Sequence, residues 1–395
     1  MNIGAPDKLD WLVGDGLPEV RPLRPYSDAA LEFLGGLSDA LLRDRANRAF
    51  PDVVTFAFFC RRANASRLKN DFGETANRLG RGLAFHITPS NIPINFAFSL
   101  VFGLLSGNSN VVRVPTRDWP QVDVVCRAIR ALLERPEYEE VKRRVALVRY
   151  GRNDEITAYF SGFCDARIIW GGDEAVTAIR KIPIPPRSVE VTFADRFSCC
   201  ALLAEAVLGL DNAGLERLAA AFYNDTYLVD QNACSSPNLI MWLGKNIRAA
   251  KDIFWPAVER AAAKYDLEPA HATGKYALLC GYLAGDYGIK RVTRHGNLIY
   301  RAELDRLDAA ESLRGLFGLF FEYDATSLRD AAKYVTSRWQ TLTYFGFDPA
   351  GLVSFVTDGL FGIDRVVPVG NALDIGVIWD GYDLIRTLSR IVSAG

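Results

Sequence analysis

Cys234 stands in Asp230-Gln231-Asn232-Ala233-Cys234-Ser235-Ser236-Pro237, between a helix-like run and the strand-like run Asn238-Leu239-Ile240-Met241-Trp242. Its small, polar neighbours leave the thiol open to a substrate, and a nucleophilic thiolate needs such access together with local positive potential. The competing reading is an inert core thiol, because cysteine is among the most buried residue types. Asn91 lies in the turn Pro89-Ser90-Asn91-Ile92-Pro93. Flanking prolines stiffen that turn, and a fixed carboxamide is a good donor to an oxyanion, although asparagine also serves turns for local reasons. Histidine is scarce: His86, His271 and His295. A Cys–His hydrolase needs one beside the thiol. His86 falls in a strand-like run and reads as a core histidine with satisfied hydrogen bonds, and His295, before Gly296, reads as a turn residue. With no dense His/Cys/Asp/Glu cluster, no metal site is expected.

A nucleotide site is written less plainly. No GxGxxG follows a strand-like run, so the usual dinucleotide fingerprint is missing. Arg167-Ile168-Ile169-Trp170-Gly171-Gly172-Asp173-Glu174 reads as a strand, a glycine pair and a helix start. Gly171 and Gly172 would let backbone approach a pyrophosphate at a helix N-terminus, or simply make a tight turn; Asp173 and Glu174 would repel a phosphate placed directly there. Arg113 ends a buried strand, where ligands of parallel sheets gather, and Thr116 and Arg117 follow with no acidic residue before Asp118. Arginine suits a 2′-phosphate and a carboxylate suits free ribose hydroxyls, so this composition leans to NADP over NAD. Two solvated surface arginines are the alternative.

Alternating strands and helices must position these groups. Residues 83–87, 111–114, 145–148 and 167–170 read as strands separated by helical runs, among them Trp119 to Leu133. That alternation predicts βαβ units and a parallel sheet. Residues 1–80 read as helical, with Ser27 and Ser38 as N-caps and Gly35-Gly36 as a break. Pro183 to Pro186 reads as a surface connection. A second series begins near Phe197, with a helix from Asp211, the cysteine turn, a strand to Trp242, a long helix from Asn246, and strands near 318–323, 341–345 and 365–369. The expected class is α/β, with a cofactor domain over 1–200 and a cysteine domain over 201–395 whose tail packs back on the first domain or on a partner subunit.

The bulk numbers set limits. The chain has 395 residues, 49% hydrophobic and 24% charged, with a formal net charge of -1. That describes a globular protein and argues against a general nucleic-acid surface. Seven scattered cysteines without CxxC spacing argue against zinc ribbons and a disulfide framework, and so point to a reducing cytoplasm. The start lacks a signal-peptide layout, and the apolar run Ile94 to Leu105 is too short to span a bilayer.

Taken in order, Gly82…His86-Ile87-Thr88-Pro89-Ser90-Asn91-Ile92-Pro93, Gly107-Asn108…Arg113, Trp170-Gly171-Gly172 and Gln231 to Pro237 resemble the acyl-CoA reductases of the bioluminescence fatty-acid reductase (LuxC-like) type, within the aldehyde dehydrogenase superfamily. The tail agrees, through Trp339-Gln340-Thr341, Asp364 to Gly370 and Trp379-Asp380-Gly381-Tyr382-Asp383. The resemblance spans about residues 80–395. It implies a Rossmann-like cofactor domain followed by an α/β catalytic domain, Cys234 as the thiol that carries the acyl group, Asn91 as oxyanion donor, Arg113 at the adenosine ribose, and Gly171 and Gly172 beside the cofactor. It also implies a dimer or tetramer. One departure matters: Thr192, in Thr192-Phe193-Ala194-Asp195, falls where hydrolytic relatives carry a water-activating glutamate, with Glu190 two residues earlier. A second characteristic glutamate has no clear match, Glu311 and Glu322 both lying near.

The expected function is therefore NADPH-dependent reduction of an acyl-CoA, or another acyl thioester, to an aldehyde through S-acyl-Cys234, with a synthetase as one source of the acyl group. Three alternatives stand beside it: an oxidative NAD(P)-dependent aldehyde dehydrogenase using Glu190, a cysteine acyltransferase or thioesterase using His86, and a non-enzymatic assembly partner. The acyl chain is not readable from the sequence.

Overall fold

A computed structural model describes residues 9–393. The chain forms two compact units, one running to Ala194 and rejoined by the segment from Tyr382 onward, the other spanning Asp195–Gly381. The expected α/β class is borne out.

In the first unit, strands β1 (Asp10–Val13), β3 (Leu83–Ile87), β4 (Ser109–Arg113), β5 (Val145–Arg149), β6 (Ala166–Trp170) and β7 (Val189–Phe193) form one sheet in the order β1-β5-β4-β3-β6-β7. Only β1 pairs antiparallel there. A separate short strand, β2 (Arg78–Gly80), pairs antiparallel with the C-terminal strand Ser389–Ile391. All five residues of β3 are buried, as expected of a central strand covered on both faces. Leu83, Phe85 and Ile87 join Phe160, Ile169 and Val176 in one core, so the helices Asp154–Phe163 and Asp173–Arg180 cover that face. The wholly buried helix Asn95–Leu105 packs against β3 and β4.

Two early expectations fail here. Residues 10–13 are a strand, and Gly35-Gly36 do not break the helix Asp28–Arg43. A Cβ on Gly36 would fall 2.2 Å from the Tyr138 hydroxyl, and one on Gly35 2.6 Å from Arg62 Cγ. These glycines permit close packing. Ser27 occupies the N-cap position without a side-chain capping bond, and Ser38 lies inside the helix.

The second unit is a seven-stranded sheet in the order β10-β11-β12-β9-β8-β13-β14, comprising β8 (Phe197–Leu203), β9 (Leu239–Leu243), β10 (Ile289–His295), β11 (Ile299–Leu304), β12 (Leu319–Asp324), β13 (Trp339–Phe345) and β14 (Arg365–Pro368). Every pairing is parallel except β10 with β11. Alternate residues feed two cores: Cys199, Ala201, Leu239 and Met241 to one, Cys200, Leu202, Ile240 and Trp242 to the other. Among the described residues no helix is long and apolar enough to cross a membrane.

Candidate active site

Within the second unit, the cysteine loop enters the sheet at its amino-terminal edge. The helix Asn212–Thr226 and a single 3-10 turn, Tyr227–Val229, deliver the chain to Asp230 and Gln231, both left-handed at φ 56° and 59°. Side chains without a Cβ penalty normally fill that region, so the conformation has to be enforced. Asp230 accepts a hydrogen bond from the Tyr265 hydroxyl. Buried Gln231 accepts from the Gly318 N–H at 2.9 Å, and its amide donates to the carbonyls of Leu319 at 3.1 Å and Pro237 at 3.3 Å. Asn238, at the far end of the loop, accepts from the Gly315 N–H at 2.7 Å. Two side-chain amides thus fasten the loop to the segment 315–319.

Cys234 sits between these fastenings. The Ser236 N–H donates to the Ala233 carbonyl at 2.9 Å, closing a turn around Cys234-Ser235. The Ser198 hydroxyl donates to the Cys234 carbonyl at 2.6 Å and accepts from the Thr341 N–H at 3.2 Å. The thiol is half-buried and the other thiols of the unit's sheet, Cys199 and Cys200, are buried. Burial pushes the Cys234 thiol up; the positive charge of Arg314 and a hydrogen bond from the Arg196 peptide N–H pull it back, while Asp380 and Asp195 push it further up. The Arg196 guanidinium is itself bound by Asp364 and Asp380. Asp380 also accepts from Gln340, which adjoins Thr341.

Asn91 belongs to the first unit, and there the remaining predicted residues gather. The order of strands reverses between β3 and β6, and ligands of open α/β sheets bind at the carboxyl ends beside such a reversal. Asn91 follows β3 and is exposed. Its turn is pinned by Ser90, whose carbonyl accepts from the Trp119 indole at 2.9 Å and whose hydroxyl lies 2.9 Å from that of Thr116. The Thr88 hydroxyl donates to the Arg113 carbonyl at 2.6 Å. Arg113 packs over the Tyr150 ring at 4.8 Å, and its Nε donates to the Tyr150 carbonyl at 3.2 Å. Burial holds its pKa below the usual arginine range. Asp118 lies 3.7 Å from Arg149, in an ion pair.

Gly171 and Gly172 follow β6. The Gly171 N–H donates to the Phe193 carbonyl at 3.1 Å, and Gly172 caps the helix Asp173–Arg180 at φ -68°. Neither residue needs glycine's left-handed freedom, and one of the two N–H groups is already committed to β7.

The alternative bases are occupied. His86 is fully buried, with Nδ1 2.7 Å from the Ser99 hydroxyl and Nε2 3.0 Å from Asn110 Oδ1. Because the Trp170 indole donates to Ser99 at 3.0 Å, Ser99 donates to Nδ1 and Nε2–H donates to Asn110. Desolvation takes the His86 pKa down to about 4, so it is a neutral core residue. Glu190 accepts from Arg167 Nε at 2.7 Å and from Arg180 Nε at 2.9 Å, which leaves neither oxygen free to activate water. Glu322 is fully buried and accepts from Trp242 at 2.8 Å, Trp255 at 2.9 Å and Arg301 at 3.0 Å. Glu311 accepts from the Thr336 hydroxyl at 2.6 Å. His295 ends strand β10, not a free turn, 3.4 Å from Glu259. No group of three or more potential metal ligands occurs among the described residues.

Sequence reasoning passed over Arg314, the Arg196 peptide, Ser198 and the clamping roles of Gln231 and Asn238. Ser198, Arg314 and the partners of the two amides are remote from the loop in sequence, and no local pattern marks them.

Among solved structures, a bifunctional proline utilization A protein is similar over 91% of this chain and 39% of its own, at 14% identity and a TM-score of 0.63. This chain thus spans about two-fifths of that protein's length. An NAD-dependent benzaldehyde dehydrogenase from Corynebacterium glutamicum is similar over 93% of this chain and 84% of its own, at 13% identity and a TM-score of 0.64. Aldehyde dehydrogenase 21 from Physcomitrella patens gives 92% and 84%, 12% identity and a TM-score of 0.65. At such identities the likeness shows the aldehyde dehydrogenase fold. No curated protein matches the chain in sequence. The family described as acyl-CoA reductase (LuxC) matches residues 23–264, more than half of the chain, and the protein belongs to that family.

Proposed function

We propose that the protein reduces an acyl-CoA, or a related acyl thioester, to an aldehyde through an acyl group carried on Cys234. The observation that carries this reading is the half-buried Cys234 in a loop fastened at Gln231, Ser198 and Asn238, in a member of the acyl-CoA reductase (LuxC) family. The Cys234 thiolate attacks the thioester carbonyl; the C–S bond to CoA breaks, and CoA leaves as the thiol with a proton from solvent. The Cys234 N–H serves as an oxyanion donor, worth about 3 kcal/mol in the transition state; the Asn91 carboxamide remains the donor that the family resemblance implies.

A nicotinamide nucleotide fits the first unit's residues. Arg113 engages only its Nε in a hydrogen bond and forms no ion pair among the described residues, Thr116 is exposed beside Ser90, and Arg149 draws Asp118 away. These features favour a phosphorylated ribose, hence NADPH over NADH. Gly171 and Gly172 form the turn proposed to lie beside it, and a Cβ on Gly171 would meet only Ala175, at 3.4 Å. NADPH, when bound, supplies the hydrogen and electron pair that reduce the enzyme thioester. The Cys234–carbon bond then breaks to release aldehyde. The engagement of Glu190 and His86 supports reduction over hydrolysis, because neither is left to activate water.

The test is NADPH and NADH oxidation across an acyl-CoA chain-length panel, with mass mapping of an S-acyl adduct on Cys234 formed without nucleotide. Cys234→Ala should abolish both readouts. Acyl-CoA-dependent NADPH oxidation persisting in that variant would overturn the proposal.

A further inference from the structure

The cysteine loop is fastened to a turn that is itself held from behind. Asp230 and Gln231 are left-handed at φ 56° and 59°, and so are Phe317 and Gly318 at φ 55° and 89°. The two left-handed pairs face each other: the Phe317 N–H donates to the Asp230 carbonyl at 3.3 Å, and the Gly318 N–H to Gln231 Oε1 at 2.9 Å. Phe317 carries a Cβ, so it needs support to stay in that region.

The helix Pro269–Ala284 supplies that support from one face. Lys275, fully buried, donates from its ammonium to the carbonyls of Phe317 at 2.8 Å, Leu298 at 3.4 Å and Asn297. One turn earlier the His271 ring stacks on the Phe317 ring, with centroids 4.2 Å apart and planes 10° from parallel. Its Nδ1 has no hydrogen-bond partner among the described residues, so its contribution there is the ring face. Two turns after Lys275, the Tyr282 hydroxyl accepts from the Arg314 N–H at 2.9 Å and donates to the Arg314 carbonyl at 3.3 Å. Behind Gly318 stands the Leu298 carbonyl, which also accepts from the Tyr227 hydroxyl at 3.1 Å and would lie 2.1 Å from a Cβ on Gly318. Lys275 forms no ion pair among the described residues. Burial, with the charge of Arg294, brings its pKa down from 10.5 to about 8, so it is an ammonium at neutral pH. A buried cation without a counter-charge costs stability; what it secures in return is the position of three carbonyls.

We infer that Lys275 is a positioning residue for Cys234: with His271, it fixes the Phe317-Gly318 turn from which the Asp230-Gln231 turn, and through it the thiol, is held. The inference rests on Cys234 as the reacting thiol.

The test compares full-length wild type with Lys275→Met, which keeps an unbranched stem and cannot donate. In the variant kcat for acyl-CoA-dependent NADPH oxidation should fall about 10- to 100-fold, with KM for acyl-CoA changed by less than about threefold. Hydrogen exchange read by mass spectrometry should be about tenfold faster in peptides from residues 229–238, while those from β8 and β9 keep wild-type protection. A merely structural role would lower the urea midpoint but leave kcat per folded molecule and the loop's exchange unchanged, and that result overturns the inference. If Lys275→Met does not fold, the half-buried His271 reads the same turn. His271→Ala should lower kcat about two- to tenfold, and His271→Phe, which keeps the stack, should restore it; wild-type kcat in His271→Ala overturns the inference equally. A wild type that forms no S-acyl adduct sinks the proposed reaction, and exchange of the loop in Lys275→Met then decides by itself whether Lys275 holds it.

Discussion

Replacing Gln231 with leucine should loosen the loop that holds the candidate nucleophile, by an amount that the hydrogen bonds set. Gln231 is 3% exposed, so water cannot substitute for its amide. Gln231→Leu leaves the Gly318 N–H without its acceptor at 2.9 Å and removes the donor to the Leu319 and Pro237 carbonyls. An unsatisfied buried donor costs about 1–3 kcal/mol, and carbonyls that lose one of several partners cost less, so the sum is about 3 kcal/mol. Because φ stays at 59°, leucine also inherits the left-handed strain. The second unit reports its own unfolding through Cys199 and Cys200, both 0% exposed on β8. Pulsed alkylation of these two thiols across a urea series should show a midpoint lower by about 1 M, taking a denaturant slope near 3 kcal/mol/M. Gln231→Glu retains the volume but sets an oxygen against two carbonyls, so it should be at least as damaging. A midpoint shift under about 0.3 M for both variants would refute the clamp.

Two further outcomes follow from buried carboxylates. Glu322→Leu should destabilise the second unit by about 3–5 kcal/mol, because it strips a buried counter-charge from Arg301 and the acceptor from two indoles. Urea unfolding followed by Trp fluorescence checks this, and a near-neutral result would return Glu322 to the list of functional glutamates. Asp225, fully buried, accepts from the Gly370 N–H at 2.7 Å and the Ala372 N–H at 2.8 Å, and burial raises its pKa from 3.8 to about 6. With the folded pKa above the unfolded one, its contribution to stability is full below about pH 4 and declines as pH rises through 6, by about 2–3 kcal/mol. The stability of wild type relative to Asp225→Asn, from urea midpoints at pH 4 to 7.5, should therefore fall with rising pH. A difference that stays flat would show that the carboxyl is not raised.

The central strands of the first unit were legible because they are buried: β3 runs Leu83–Ile87 as read, β5 and β6 differ from their readings by one residue at one end, and β4 starts two residues and ends one residue earlier than read. The misreadings have physical causes. Gly35-Gly36 looked like a break because a glycine's role in close packing is decided by Arg62 and Tyr138, neither visible locally. Strand β10 went unseen because it is an edge carrying Lys290, Arg291 and Arg294, with no buried apolar alternation to mark it. The helix Pro269–Ala284 buries only Lys275 and Leu279, so its pattern carries little signal of a core-facing stripe. At the site, residue types identified Cys234, Asn91 and Arg113 as candidates. The clamping roles of Gln231 and Asn238 could not be found that way, since they come from tertiary hydrogen bonds that join residues about 80 apart in sequence.

The two units present their candidates at opposite ends of parallel strands, and the difference suits the two tasks proposed for them. In the first unit Asn91, Arg113 and Gly171 leave the carboxyl ends of β3, β4 and β6, where loops diverge and open a crevice for a ligand. In the second, Ser198, Asn238, Leu319 and Thr341 gather at the amino ends of β8, β9, β12 and β13, where converging loops can be stitched together. A thiol that forms and breaks a covalent bond must be held to within about 0.5 Å. Two consecutive left-handed residues cost about 1–3 kcal/mol each, and they persist here because Tyr265, Gly318 and Leu319 each hold one of them. That cost lies in the same loop, three residues before Cys234. Relaxing it with Gln231→Gly would free the backbone but remove the amide, so the loop should become less ordered although its strain is gone. Rigidity at this thiol comes from the clamps, and the strain is the mark they leave on the backbone.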